Sequence, residues 1–257
     1  MNNSLYIILL KTKSILTALL LMMAGLQTVR AQKVVLHKTN GQTIECEVSE
    51  LDSIVFVEKQ DIIDDNHEWV DLGLPSGTLW ATCNIGANSP EEYGDYFAWG
   101  ETEPKADYSW SNYKYCDESA GVLTKYCTQS DYGFVDDKTE LDPEDDAAIA
   151  NWGSEWQMPN NAQWEELLNK NHVTRTSTTR NNVNGYLFTS KSNGNSIFIP
   201  AAGGRVGDSS SNVGSDSYCW SSSLHADMSF YAFYYCDSYM LNEQRYCGLT
   251  VRPVRVK

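Results

Sequence analysis

Apolar and polar positions alternate with a period of two at the start of the globular sequence. Val34 and Leu36 alternate with Val35 and His37, and Ile44, Cys46 and Val48 alternate with Thr43, Glu45 and Glu47. Such alternation predicts half-buried strands. Asn40-Gly41 between the two runs predicts a two-residue hairpin turn, because both turn positions require positive φ. A third strand is expected over Ile54 to Val57. Residues 32–58 therefore read as a small β-hairpin unit, which is marginal alone and must dock or move. The polar, acidic residues 59–67 read as a linker.

From Glu68 the pattern changes to short strands separated by turn residues. Trp69 to Leu72 and Thr78 to Asn84 are expected as strands, joined by the Pro75-Ser76-Gly77 turn. Ser89-Pro90-Glu91-Glu92 has the form of a helix start, and Tyr96 to Gly100 returns to strand. Residues 101–141 are loop-rich. Asp142-Pro143-Glu144-Asp145-Asp146 predicts a helix through Ala150, its acids facing the positive helix end. The same carboxylates suggest Ca²⁺, but no Asp-x-Asp-x-Asp-Gly loop is present, which favours capping. A second helix is expected after Asn160, with Gln163 completing the capping box and Trp164, Leu167 and Leu168 forming the apolar stripe. Beyond Gly185 the expectation is β: Tyr186–Ser190 and Ser196–Pro200 around Asn193-Gly194, a strand at Trp220, one over Phe230–Asp237, and a closing strand over Gly248–Val254.

Residues 1–31 alter this picture because they look removable. Lys11 and Lys13 precede an uncharged, Leu-rich run from Ser14 to Gln27, and Val29 and Ala31 fit a small-residue cleavage site before Gln32. This is the pattern of a secretory signal, too short for a comfortable membrane span. Export to the periplasm, cell surface or medium is expected, with no integral membrane segment after cleavage. The 257-residue chain is 42% hydrophobic and 21% charged, which supports a sizeable core. Its net charge of −15 repels phosphate backbones, so nucleic acid is not an expected partner. The acids concentrate in residues 91–146, with 16 acids against 4 bases, whereas residues 201–257 hold 5 of each. The seven cysteines include no Cys-x-x-Cys pair, and the four histidines are scattered, so neither a zinc site nor any cofactor is expected. Cys116 and Cys127 either close a disulfide loop or remain two thiols.

Several phrases occur in an order that resembles a known family. They are Val70-Asp71-Leu72-Gly73-Leu74, Leu79 to Ala87, Pro90 to Glu101, Trp156-Gln157-Met158-Pro159, Ile199 to Gly203, Trp220-Ser221-Ser222-Ser223, and Gly248 to Val254. Together they are similar to the Fibrobacter succinogenes major paralogous domain of exported Bacteroidota proteins, over residues 68–257. The resemblance implies an α+β, C-type-lectin-like fold, related to that of the formylglycine-generating enzyme. It implies two helices and a C-terminal strand closing a sheet beside the N-terminal strand. The enzyme relatives use a copper-binding cysteine pair. Cys219, Cys236 and Cys247 lack the Gly-Gly-Ser-x-x-Cys setting, and the Glu-Pro-Asn and Trp-Asn-Asp motifs of Ca²⁺-dependent lectins are missing. The resemblance thus carries fold and not mechanism.

The function expected from these residues is an exported ligand-binding module. Residues 218–246 hold nine aromatics among 29, mixed with Ser, Asn, Asp and Cys, a composition similar to antibody paratopes. Strand alternation points to Tyr231 and Tyr235 on an exposed face, with Asp237, Tyr239, Asn242 and Tyr246 in or near the loops and His225 at the rim. Ala232, Tyr234 and Cys236 would point inward. A glycan or a protein is the expected extracellular ligand. An architectural or adhesin subunit without a small ligand fits the composition too. A receptor diversified near its C-terminus also fits, since Tyr, Asn, Ser, Asp, Cys and His are all reachable from one Asn codon. No acid pair, Ser-His-Asp set or metal cluster marks an enzyme.

Overall fold

The computed structural model describes residues 33–37, 43–47, 67–117 and 121–256. Two units divide the chain, Met1–Ile63 and Asp64–Lys257. In the first, β1 (Lys33–His37) and β2 (Thr43–Glu47) pair antiparallel, with Val35 opposite Glu45. The signal segment, the Asn40-Gly41 turn, the third strand at Ile54–Val57 and most of the linker lie outside the described residues.

The second unit begins with β3 (Trp69–Asp71) and β4 (Thr78–Ala81), followed by the minor pair β5 (Cys116–Asp117) and β6 (Val122–Leu123). Helices α1 (Ala147–Trp152) and α2 (Asn161–Leu168) come next. Strands then dominate: β7 (Val173–Arg180), β8 (Val183–Ser190), β9 (Ser196–Pro200), β10 (Gly204–Val206), β11 (Ser209–Ser211), β12 (Tyr218–Leu224), β13 (Tyr231–Cys236), β14 (Tyr239–Gln244) and β15 (Val254–Val256). Three three-stranded sheets form, in the orders β15-β4-β3, β7-β8-β9 and β12-β13-β14. The unit is β-rich with two short helices, α+β in the broad sense.

Local chemistry explains both helix starts. Asp146 caps α1, accepting from Ala148 N (2.8 Å) and Ile149 N (3.2 Å), and also takes the Met158 amide at 2.8 Å. The expected start at Asp142 is instead a 3-10 turn over Pro143–Asp145, so the helix begins one turn later. Asn160 and Gln163 form the reciprocal capping box of α2, and Trp164 and Leu167 are buried on its inner face. No helix follows Ser89. Its carbonyl accepts from Glu92 N in one turn, and Gly94 at φ 77° then redirects the chain so that Asp95 N returns to the Ile85 carbonyl.

The β12-β13-β14 sheet is covered on both faces around its middle strand. Cross-strand partners share a face, so Trp220 and Tyr234 belong to one face, and Cys219 and Tyr235 to the other. The first face enters a core with Trp99, Trp156 and Tyr126; the second enters a core with Trp80, Trp164 and Phe188. Tyr235 stacks flat on Trp164 of α2, with 4.8 Å between ring centroids and 6° between ring planes. Simple inward–outward alternation therefore fails in β13, as it does wherever both faces are packed.

The C-terminal segment does not run as a single strand. Gly248 exchanges backbone bonds with Arg205, Leu249 with Phe97, and Val254 with Gln157. Trp220 N, Ile85 N and Ala81 N donate to the carbonyls of Thr250, Val251 and Pro253. Only Val254–Val256 pairs regularly, along β4. One buried stretch thus ties five separate parts of the unit together. Gly248 permits this route, since a Cβ there would lie 2.6 Å from the Tyr108 ring.

Candidate functional site

The expected site residues separate into two groups at opposite ends of the β13–β14 hairpin. Asp237 forms the turn at φ 48°, and Tyr239 follows it opposite Cys236. Tyr231, opposite Gln244, stands at the other end, with Asn242 opposite Phe233. At about 3.3 Å per residue the strand holds these ends roughly 17 Å apart, so the set does not form one small-ligand site.

Tyr235 must be removed from the expected face. It is fully buried between Trp164 and Phe188, and its hydroxyl donates to the Asp237 carbonyl at 2.9 Å. Helix α2 covers the sheet at that point. Tyr231 and Phe233, on the same face but farther along, are only half-buried. His225 is half-buried too, its ring 5.1 Å from that of Phe233. Asp237 is chiefly structural: its Oδ1 accepts the Ser217 amide at 2.8 Å, and burial raises its pKa.

The open end of the hairpin carries a run of partly exposed rings. Tyr132 meets Phe230 edge-on at 5.0 Å, Phe230 meets Trp110 at 5.1 Å, and Trp110 meets Tyr246 at 4.9 Å. Phe134, 68% exposed, and Met228, 38% exposed, belong to the loops that carry Tyr132 and Phe230. Those two loops are fastened together: Gln129 Nε2 donates to the Asp227 carbonyl (2.9 Å) and Thr128 N to Ser229 Oγ (3.1 Å). Gly133 lies flat against Leu123, where a Cβ would come within 2.1 Å of the Leu123 carbonyl oxygen. Trp110 is held by the polar knot beside it, in which Asn112 Nδ2 donates to the Asp107 carbonyl at 2.7 Å and Ser109 Oγ to its carboxylate at 2.9 Å.

Beneath these rings lies Arg245, fully buried and, among the described residues, without a carboxylate in contact. Its guanidinium donates to Tyr113 Oη (2.9 Å) and to the carbonyls of Tyr126 (3.0 Å), Ser229 (2.9 Å) and Lys125 (3.1 Å). It also lies 4.9 Å from the centre of the Trp99 ring. One side chain therefore fixes the loop bearing Tyr132, the loop bearing Phe230 and the end of β14 before Tyr246. The face is thereby held in one arrangement by its own interior.

The acidic cluster is internally neutralised. Asp142, Glu144 and Asp145 place carboxylate oxygens within 4.8 Å of one another. Lys125 Nζ sits 2.6 Å from both Asp142 and Asp145 and 3.6 Å from Glu144, while Lys114 reaches Asp145 at 2.9 Å. Burial would raise the pKa of Asp145, but hydrogen bonds led by that from Lys125 hold it at about 2. The ammonium groups stand where a cation would, so the geometry fits a structural ion-pair knot.

Cys83, Cys127, Cys219, Cys236 and Cys247 are in no disulfide, so the possible bridge between Cys116 and Cys127 is not formed. Burial raises Cys219 and Cys236 to about 11 and Cys247 to about 12. Cys219 belongs to the core on the α2 side of the sheet and Cys247 to the opposite core. Sequence reasoning missed Trp110, Tyr132, Phe134 and Met228, which lie in aperiodic loops; their solvent exposure is the signal, and it exists only in the fold. No protein-family model, curated protein or solved structure matches this chain.

Proposed function

We propose that residues 68–257 are an exported binding module of the Fibrobacter major paralogous type, with a lectin-like fold, displaying its aromatic face to an extracellular glycan or protein loop. The observation that carries this reading is the Tyr132–Phe230–Trp110–Tyr246 run, half-exposed on a rigid base. Tyr and Trp offer large rings with a polar tip and few rotatable bonds to freeze. Tyr231, Asn242 and His225 edge the same end of the hairpin and supply directional contacts. The pairing of β15 with β4, which brings the C-terminal strand into one sheet with the first two strands of the unit, supports the fold assignment. An enzyme of the copper-thiolate kind receives no support from Cys219, Cys236 and Cys247, whose thiols are all raised by burial and of which Cys219 lies in a different core from the other two. A diversified receptor would need tolerant positions, and most of β12 and β13 is buried, which leaves mainly the loops for variation.

A glycan array and a pull-down of surface proteins, both with the full chain, test the proposal. The Tyr132→Ser, Phe134→Ser and Met228→Ser changes remove exposed apolar surface without emptying the core. Combined, they should abolish the binding found while the melting temperature stays within a few degrees. Binding that survives all three refutes the assignment of the face, and absence of any ligand favours the architectural reading.

A further inference from the structure

A second site lies at the other end of the hairpin, and its chemistry differs from that of the aromatic face. A cavity of about 430 Å³ opens there, with Leu167 and Val173 in its apolar part and Lys170, Arg175, Lys191 and Tyr239 around them. Its size falls in the range of small-molecule pockets. No carboxylate lines it.

That absence stands out in a chain of net charge −15. Lys105, Lys114, Lys125, Lys138, Arg180 and Arg255 each pair with an acid. Arg245 and Arg252 are buried among backbone carbonyls and side-chain oxygens, and Arg205 lies over the Tyr108 ring. The three remaining cations with described side chains all line this cavity. Lys170 follows the C-terminus of α2, where a cation is favoured in any case. Arg175 in β7 also acts on the nearby Asp237 carboxylate, whereas Lys191 just beyond β8 has no such reason to be there.

Both are also positioned. Arg175 donates to the Asp237 carbonyl and lies 4.4 Å from the centre of the Tyr186 ring. Lys191 Nζ donates to the Lys170 carbonyl at 2.6 Å. Each keeps donors free, since a guanidinium has five N–H groups and an ammonium three. Tyr239, 68% exposed, adds an uncovered ring on the same cavity.

We propose that this cavity binds a carboxylate-bearing sugar, with the sugar ring against Tyr239 and the carboxylate held by Arg175 and the two lysines. Planar guanidinium and carboxylate groups suit each other, and a charge-assisted bond is about twice as strong as a neutral one. The apolar part of the cavity accepts the C–H face of the sugar.

Calorimetric titration of the full chain with glucuronate, glucose and sulfate tests the site. Glucuronate should bind, and glucose at least about tenfold more weakly. The Lys170→Gln/Lys191→Gln double variant and Tyr239→Ala should each weaken glucuronate about tenfold or more, with unchanged melting temperature, because all three side chains are exposed. Equal binding of glucose and glucuronate overturns the proposal, as does glucuronate binding that persists in the double variant. Sulfate binding as tight as glucuronate, indifferent to Tyr239→Ala, reduces the site to an unselective cation cluster and overturns it also. So does silence toward glucuronate up to about 10 mM, weaker than any useful single-sugar site. None of these variants touches the Trp110 face, so the two proposals fail separately.

Discussion

Arg252→Met is the sharpest perturbation of this fold. The Arg252 side chain is fully buried in the C-terminal segment and, among the described residues, has no carboxylate in contact. Its Nε donates to Asn84 Oδ1 at 2.8 Å, and its two terminal nitrogens donate to the carbonyls of Ala81 (3.1 Å) and Phe198 (3.0 Å). The guanidinium therefore joins the closing segment to the end of β4 and to β9. Methionine fills most of the volume but leaves three acceptors dry. Each unsatisfied buried acceptor costs about 1–3 kcal/mol. Relief from burying a charge offsets part of that, leaving a net loss of about 3–5 kcal/mol, the range for breaking a buried charged network. For a unit of this size the loss lowers the melting temperature by roughly 6–20 °C. Urea unfolding followed by tryptophan fluorescence reads the change. Arg252→Lys should recover only part of it, because an ammonium cannot match three acceptors disposed around a planar fork. A loss under about 1 kcal/mol for Arg252→Met would show that the bonds are replaceable by water, and the argument for this residue as the fastener of the closing segment would be wrong.

Three further outcomes are expected. Ending the chain before Gly248 should leave no cooperative thermal transition, since five stretches lose backbone partners; a sharp, unshifted melt of that truncated chain refutes the role given to the segment. Tyr235→Ala should cost about 3–5 kcal/mol as a buried aromatic, while Tyr239→Ala, largely exposed, should change stability by less than about 0.5 kcal/mol; denaturant midpoints distinguish them. Asp145, whose folded pKa of about 2 lies below its ordinary 3.8, adds stability that is complete above pH 4 and is lost as pH falls toward 2. Asp145→Asn should flatten that acid limb, and an unchanged pH profile would disprove the linkage.

Where a feature depends on neighbours in sequence, the residues alone determine it. The alternation over Lys33–Glu47, the box of Asn160 with Gln163, the α2 stripe through Trp164 and Leu167, and the Asn193-Gly194 turn are all local in this sense. Each rests on a side chain meeting its own or the next turn of backbone. The polar strand β7, with Thr and Arg at nearly every position, offers no apolar period to read, and the edge strand β14 follows a two-residue turn led by Asp237 rather than glycine. Tertiary packing alone decided the rest. Tyr231 and Tyr235 have the same phase in one strand, yet α2 covers the second and stops short of the first. Gly248–Val254 reads as a strand, but its partners come from five distant stretches, so its hydrogen bonds cannot be inferred from its own pattern. Trp110, Tyr132 and Phe230 lie up to 120 positions apart, as do Lys170 and Tyr239 at shorter range; only the route of the chain brings them onto common surfaces. Burial and proximity are sums over the whole fold, and no local window of sequence contains them.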